Sequence, residues 1–385
     1  MNRFDAVLKS NYVKDSLDER RNMFRDLWRG KPLARVPVCI RLSLPSEYTV
    51  RETFQNGDKQ LDRELRNAVA EWELGNCTDA IPAMRPDVGC SCIAAAFGAQ
   101  YYWGCSENQT PGIKNYILAE GDAIEDLDET VAGIEKPDIM RSEWLCEGFN
   151  RIQRFVEAGN GVIPVSLLDA AGGVNVAADL LGMTNLMTSF YLYPEAIQKL
   201  LTIIQQTYLE VIAQGIKAAG GEQNITTTDF VDFWFPEGHK GHVSDDISAN
   251  ISPDMYNQFS GPYHDIIFDV YGAGGLHNCG PNPCAAQYVS QKHSPGCIDL
   301  NYTYSRKDLP SLKKTLGGKA FIYLNWPGDE DPIAWFQNIV DLAKPDLLIV
   351  PFFTFQSPDE ARLMYPKLRG IAEDYAKQIN WYSVW

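Results

Sequence analysis

What most constrains this chain is an alternation. Short β-branched, apolar runs recur between longer helical stretches. "RVPVCIRLS" (35–43), "GVIPVSLLD" (161–169), "GGLHNC" (274–279), "CIDLNY" (297–302), "KAFIYLN" (319–325) and "DLLIVPF" (346–352) read as strands. Between them, "YPEAIQKLLTIIQQTYLEVIAQGIKAAGG" sets Ile197, Leu200, Leu201, Ile204, Tyr208, Val211, Ile212 and Ile216 at helical spacing, closed by Gly220 and Gly221. A second helix is expected over 252–272, with Ser252 as its N-cap and Pro253 at its first position. Strands separated by helices pair in parallel, because a parallel neighbour is reached only by a crossover. About eight such pairs, without a linker or a fixed-period repeat, predict one α/β unit over 1–385: a (β/α)₈ TIM barrel with a helical lead-in at 1–30. An open doubly wound sheet is the alternative, but neither G-x-G-x-x-G nor G-x-x-x-x-G-K-[ST] occurs to hold a phosphate.

Charge narrows the partners. With 34 basic against 50 acidic residues the chain carries a net −16, which argues against nucleic acid or an anionic membrane as partner. No apolar run reaches the roughly 18 residues of a membrane span. The N-terminal stretch "MNRFDAVLKSNYVKDSLDERRNMF" has no apolar core of a signal peptide. Nine cysteines, an odd number at irregular spacing, do not make a disulfide framework. The expected location is therefore the cytoplasm. The oligomeric state stays open, with a homodimer among the options.

The candidate chemistry centres on "GAGGLHNCGPNPC" (272–284). In a strand, residues two apart point the same way, so His277 and Cys279 would share a face at a strand's C-terminal end. That is where barrel enzymes place their sites. Imidazole and thiolate together suit Zn²⁺, and the alternative is a buried His beside an inert Cys. Further ligands or a general base could come from "EGHKGHVSDD", which offers Glu237, His239, His242, Asp245 and Asp246. Glu237 is the favoured further ligand, Asp245 and Asp246 are catalytic candidates, and Asp246 or Glu237 would complete the metal's shell or take up a proton. Cys284 is close in sequence, but Pro281 and Pro283 stiffen the turn before it. Arg41, near the end of the first strand, could fork a substrate carboxylate. Tyr102 and Trp234, among other aromatics, could wall a pocket.

The progression from "RVPVCIR" through "LLGMTNLMTSFYLYPEAIQKLL" to "DDISANISPDMYNQFSGPYHDIIFDVYGAGGLHNCG" resembles the uroporphyrinogen decarboxylase superfamily. The resemblance covers most of the chain and is best between residues 160 and 285. It implies a (β/α)₈ barrel and one of two activities. Decarboxylases of the superfamily work without a cofactor, through Arg and Asp residues in the barrel mouth. Corrinoid-linked methyltransferases use an H-x-C…C zinc site, whose first two ligands match His277 and Cys279. The family's third ligand, a Cys at the end of the last strand, falls within "LLIVPFFTFQSPDEA", which has none. The decarboxylase's opening Arg pair and "QAGR" run are also missing, leaving Arg41 near the matching place.

The expectation is a zinc enzyme that demethylates a small methylated substrate toward a corrinoid on a partner protein. A decarboxylase of a polycarboxylate is the alternative, with Arg41 holding a carboxylate and Asp245 or Asp246 stabilising a protonated ring. A third is a catalytically silent barrel that only binds a ligand.

Overall fold

A computed structural model describes residues 11–114, 126–291 and 296–381, with side chains from 16 onward. The helical lead-in is the helix Asn11–Trp28, and the part of it before residue 11 lies outside the described residues. Among the described residues eight strands follow in chain order: β1 (Cys39–Leu42), β2 (Gln100–Tyr102), β3 (Gly112–Lys114), β4 (His242–Ser244), β5 (Gly275–Asn278), β6 (Cys297–Leu300), β7 (Phe321–Asn325) and β8 (Leu348–Phe355). Six of them form one parallel sheet in the order β1-β8-β7-β6-β5-β4, while β2 and β3 make a separate antiparallel hairpin. Helices connect the parallel strands, as the alternation predicts.

The architecture is barrel-like, yet a closed eight-stranded barrel is not present among the described residues. The arc between β1 and β4 consists of three extended segments rather than strands. They are tied by single parallel bridges, Met84 to Val165 and Val165 to Ile225. Individual backbone bonds carry the arc to its neighbours: Asp79 N–H donates to Val38 (3.0 Å), and Thr228 N–H to Lys240 (2.9 Å). The predicted strand at 161–169 is reduced to such a bridge. Prolines account for this, since Pro82, Pro86 and Pro164 each remove a ladder donor.

The helix Pro194–Ala218 lays Ile197, Leu200, Leu201, Ile204, Tyr208, Val211 and Ile212 into the core. The helix expected over 252–272 is two helices, Pro253–Phe259 and Gly261–Tyr271. Ser252 caps the first through Met255 N–H. The break at Ser260 precedes Pro262, whose ring cannot supply the N–H that would continue the first helix.

The glycines that open β5 are there for space. A Cβ on Gly274 would meet the Gly241 carbonyl oxygen at 1.7 Å, and one on Gly275 would press on Cys297 Sγ at 2.7 Å and His242 Cδ2 at 3.0 Å. The first lets β5 run against the chain leading into β4, and the second leaves room for a buried imidazole.

Candidate metal centre

Register places the site. His277, on β5, pairs with Asp299 on β6 and with Ser244 on β4, while Cys279 lies just past the C-terminal end of β5. Nε2 of His277 is 3.4 Å from Sγ of Cys279. Tetrahedral zinc, with bonds of about 2.0–2.1 Å to nitrogen and about 2.3 Å to sulfur, sets those two atoms roughly 3.6 Å apart. The carboxylate of Asp246 completes the group. One ligand atom from each of Asp246, His277 and Cys279 lies within 4.8 Å of the other two. A carboxylate oxygen of Asp246 also accepts the Cys279 backbone N–H, which ties the turn after β5 to the end of β4. Imidazole, thiolate and carboxylate form a donor set suited to zinc, three of the four ligands such an ion usually takes.

Behind His277 runs a buried polar chain. Its Nδ1 bonds one oxygen of Asp299, and the other oxygen lies 2.8 Å from Nε2 of His242. Nδ1 of His242 is in turn 3.4 Å from Asp229. This fixes the tautomer of His277, since the bond at Nδ1 leaves Nε2 facing Cys279. Burial alone would make protonation of His277 harder, but the Asp299 carboxylate outweighs it and holds the ring's pKa well above the ordinary value. Burial likewise opposes ionisation of Asp299, yet His277 and His242 hold its pKa well below the carboxylate range. A metal at Nε2 would therefore displace a proton from His277.

The stretch 237–246 does not act as one loop, because β4 runs through it. Glu237 lies before β4, at the opposite end of the strands, and pairs with Arg25 at 3.0 Å. His239 is at that end too, 2.8 Å through Nδ1 from the Ala273 carbonyl and packed against Trp28. His242 is inside, in the chain just described. Asp245 is buried and faces His264, 3.1 Å away on the helix Gly261–Tyr271. Only Asp246 reaches the His277–Cys279 pair. Cys284 is buried on the next helix, its thiol donating to the Ile251 carbonyl at 3.3 Å.

Three further candidates sit elsewhere than sequence reasoning put them. Arg41 is buried, not open to the mouth. It ion-pairs with Glu71 (3.2 Å) and Asp232 and donates to the carbonyls of Ile81 and Ala83. Burial pushes the Glu71 carboxyl up to about 7 despite that pairing. Trp234 is buried at the closed end, under Lys240, Arg25 and Arg21. Tyr102 is exposed on the β2–β3 hairpin, against Gly112.

Sequence reasoning missed Asp299, although a lone acid inside "CIDLNY" was a signal: a charge in a buried strand needs a partner. It also missed Arg85 and Phe230. The Phe230 ring meets His277 edge-on at 5.0 Å, and the Arg85 guanidinium lies over its face at 4.5 Å.

No family model matches the chain, and no curated protein matches it in sequence. Among solved structures, a methyltransferase from Methanosarcina mazei has a similar fold, with a TM-score of 0.62 and 16% sequence identity over 93% of this chain and 98% of its own.

Proposed function

We propose that this protein is a metal-dependent methyltransferase that moves a methyl group from a small methylated substrate to a corrinoid carried by a separate protein. The observation that carries the reading is the convergence of Asp246, His277 and Cys279 at the C-terminal end of β4 and β5. The fold likeness to a methyltransferase and the family resemblance of the sequence support it. The decarboxylase reading loses its carboxylate fork, since Arg41 is enclosed by Glu71 and Asp232.

The protein's own residues do three things. His277, Cys279 and Asp246 would hold zinc, with Asp299 accepting the Nδ1 proton of His277 and so aiming Nε2 at the metal. Bound there, zinc would act as a Lewis acid on the heteroatom that carries the methyl group. Phe230 packs against His277 and would present an apolar surface to the substrate beside it. The pair of the broken bond would stay with the heteroatom, and the methyl group would pass to an electron pair supplied by the reduced corrinoid.

The test is direct. Purified protein should hold close to one equivalent of zinc. Mixed with a reduced corrinoid protein and methylated aromatic or amine donors, it should change the corrinoid's visible spectrum to that of the methylated form. Zinc-free protein that turns over a porphyrinogen without corrinoid would overturn the proposal.

A further inference from the structure

The carboxylate fork that Arg41 does not provide has a counterpart elsewhere. Arg85 follows Met84, at the C-terminal end of an arc segment, and its side chain is 35% exposed. Nη2 donates to Asp169 at 2.9 Å. Nη1 has no partner among the described residues and is not buried, while Nε is buried and also unpaired. The guanidinium carbon lies 4.5 Å over the Phe230 ring, whose centroid is 5.0 Å from that of the His277 ring. An arginine with a free Nη1, one aromatic ring from three candidate ligand atoms, is placed for recognition as well as for structure.

The acidic residues nearby do not use up that edge. Asp232 is taken by Arg41 and Glu64 by Arg63 (3.1 Å). Asp87 accepts the Gly89 N–H at 2.7 Å. Among the described residues, Asp169 is the one carboxylate hydrogen-bonded to the guanidinium, and it takes Nη2 only, so Nη1 stays open.

We propose that Arg85 binds a carboxylate of the substrate, so that the methylated substrate is a small carboxylic acid whose methyl-bearing heteroatom reaches the Asp246–His277–Cys279 group. This rests on the function proposed above for what happens to the methyl group, but not for the binding itself. The carboxylate would meet Nη1 end-on beside Asp169, with the substrate's body against Phe230.

The probe is methoxyacetate, the smallest methyl ether carrying a carboxylate, compared with its neutral amide, methoxyacetamide, by isothermal titration calorimetry on the full chain. Methoxyacetate should bind at least about tenfold more tightly than the amide, the discrimination expected of a hydrogen bond to a charged group. Arg85→Gln should abolish that preference and leave zinc content unchanged. Arg85→Lys, which keeps the charge but not the planar fork, should retain part of it. Equal binding of acid and amide by the unsubstituted protein, a comparison that needs no variant, would overturn the proposal. So would an Arg85→Gln protein with undiminished preference. Carboxylate preference in a protein that holds no zinc would uphold Arg85 and count against the metal reading, so the two can fail separately.

Discussion

The two ends of β4 are made of similar residues and do opposite things. Before the strand, Glu237, His239 and Lys240 are locked into protein: Glu237 to Arg25, His239 to the Ala273 carbonyl and Trp28, Lys240 to the carbonyls of Ile225 (2.8 Å) and Thr226 (3.1 Å). After it, Asp246 turns toward His277 and Cys279, which have ligand atoms to spare. The helix Asn11–Trp28 makes the difference, because it covers the first end, with Trp28 packed on Phe235 and His239. Lys240 and His239, covered there, have to be satisfied by protein, since burial without a partner is costly, while Glu237 stays at the surface. At the uncovered end Asp245 is still closed off against His264, while Asp246, His277 and Cys279 come together near the surface, where α/β barrels place their chemistry.

The strongest way to break this comparison is to exchange roles across β4. Cys279→Ser should lose most of the zinc, because two remaining protein ligands hold the ion poorly. Asp246→Asn should bind it at least about tenfold more weakly, keeping the N–H contact but losing the charge. Glu237→Ala should leave zinc content unchanged and cost no more than the ~1 kcal/mol of a surface ion pair. Metal analysis after dialysis against a chelator separates the three. Zinc loss in Glu237→Ala, or full retention in Asp246→Asn, would show that the two ends are not distinct.

A smaller effect is expected from inside the sheet. His242 touches no proposed ligand; it holds Asp299, which holds His277. His242→Phe should weaken metal binding by about 10–100-fold, the range for losing an outer hydrogen-bonding partner of a metal ligand. His242→Gln, which can still donate to Asp299, should recover part of the loss. The absorption spectrum of the cobalt-substituted protein supplies a readout that a general loss of stability would not move. A lower melting temperature with unaltered cobalt affinity and spectrum would make His242 a packing residue only.

How much of this was legible beforehand differs between the same two regions. The strands β5 to β8 follow from short runs set between helical stretches, and the long helix from the period of its apolar residues. The arc from Met84 through Val165 to Ile225 was not, since its prolines and threonines satisfy the backbone through isolated bonds. In the site, the nearness of His277 and Cys279 follows from a two-residue spacing. The third member was one of several acids in a polar stretch, and spacing alone cannot show that β4 divides that stretch in two. Asp299 and His242 form contacts 57 positions apart, which no local pattern encodes. Arg41 misled because a strand-end arginine looks the same in sequence whether or not acids close over it.

The smallest expected effect on the site belongs to Lys240, whose consequence should be for stability alone. Burial strips its ammonium of water and lowers its pKa to about 7 from an ordinary 10.5, while Glu237 pulls upward and Arg21 and Arg25 downward. The unfolded chain therefore binds more protons at this group than the folded one between pH 7 and 10.5. Stability rises with pH wherever that is so. Within that window the unfolding free energy of the natural protein should climb relative to Lys240→Met, with a slope of at most ~1.4 kcal/mol per pH unit. Below pH 7 both states hold the proton and the difference should level off, with the cost of the buried charge fully present. Urea unfolding of both proteins at several pH values measures this, and groups common to both cancel in the difference. Zinc content should be the same in the two. A flat difference would mean that the carbonyls of Ile225 and Thr226 and the face of Trp234 solvate the ammonium as well as water does, and that the covered end tolerates a full charge.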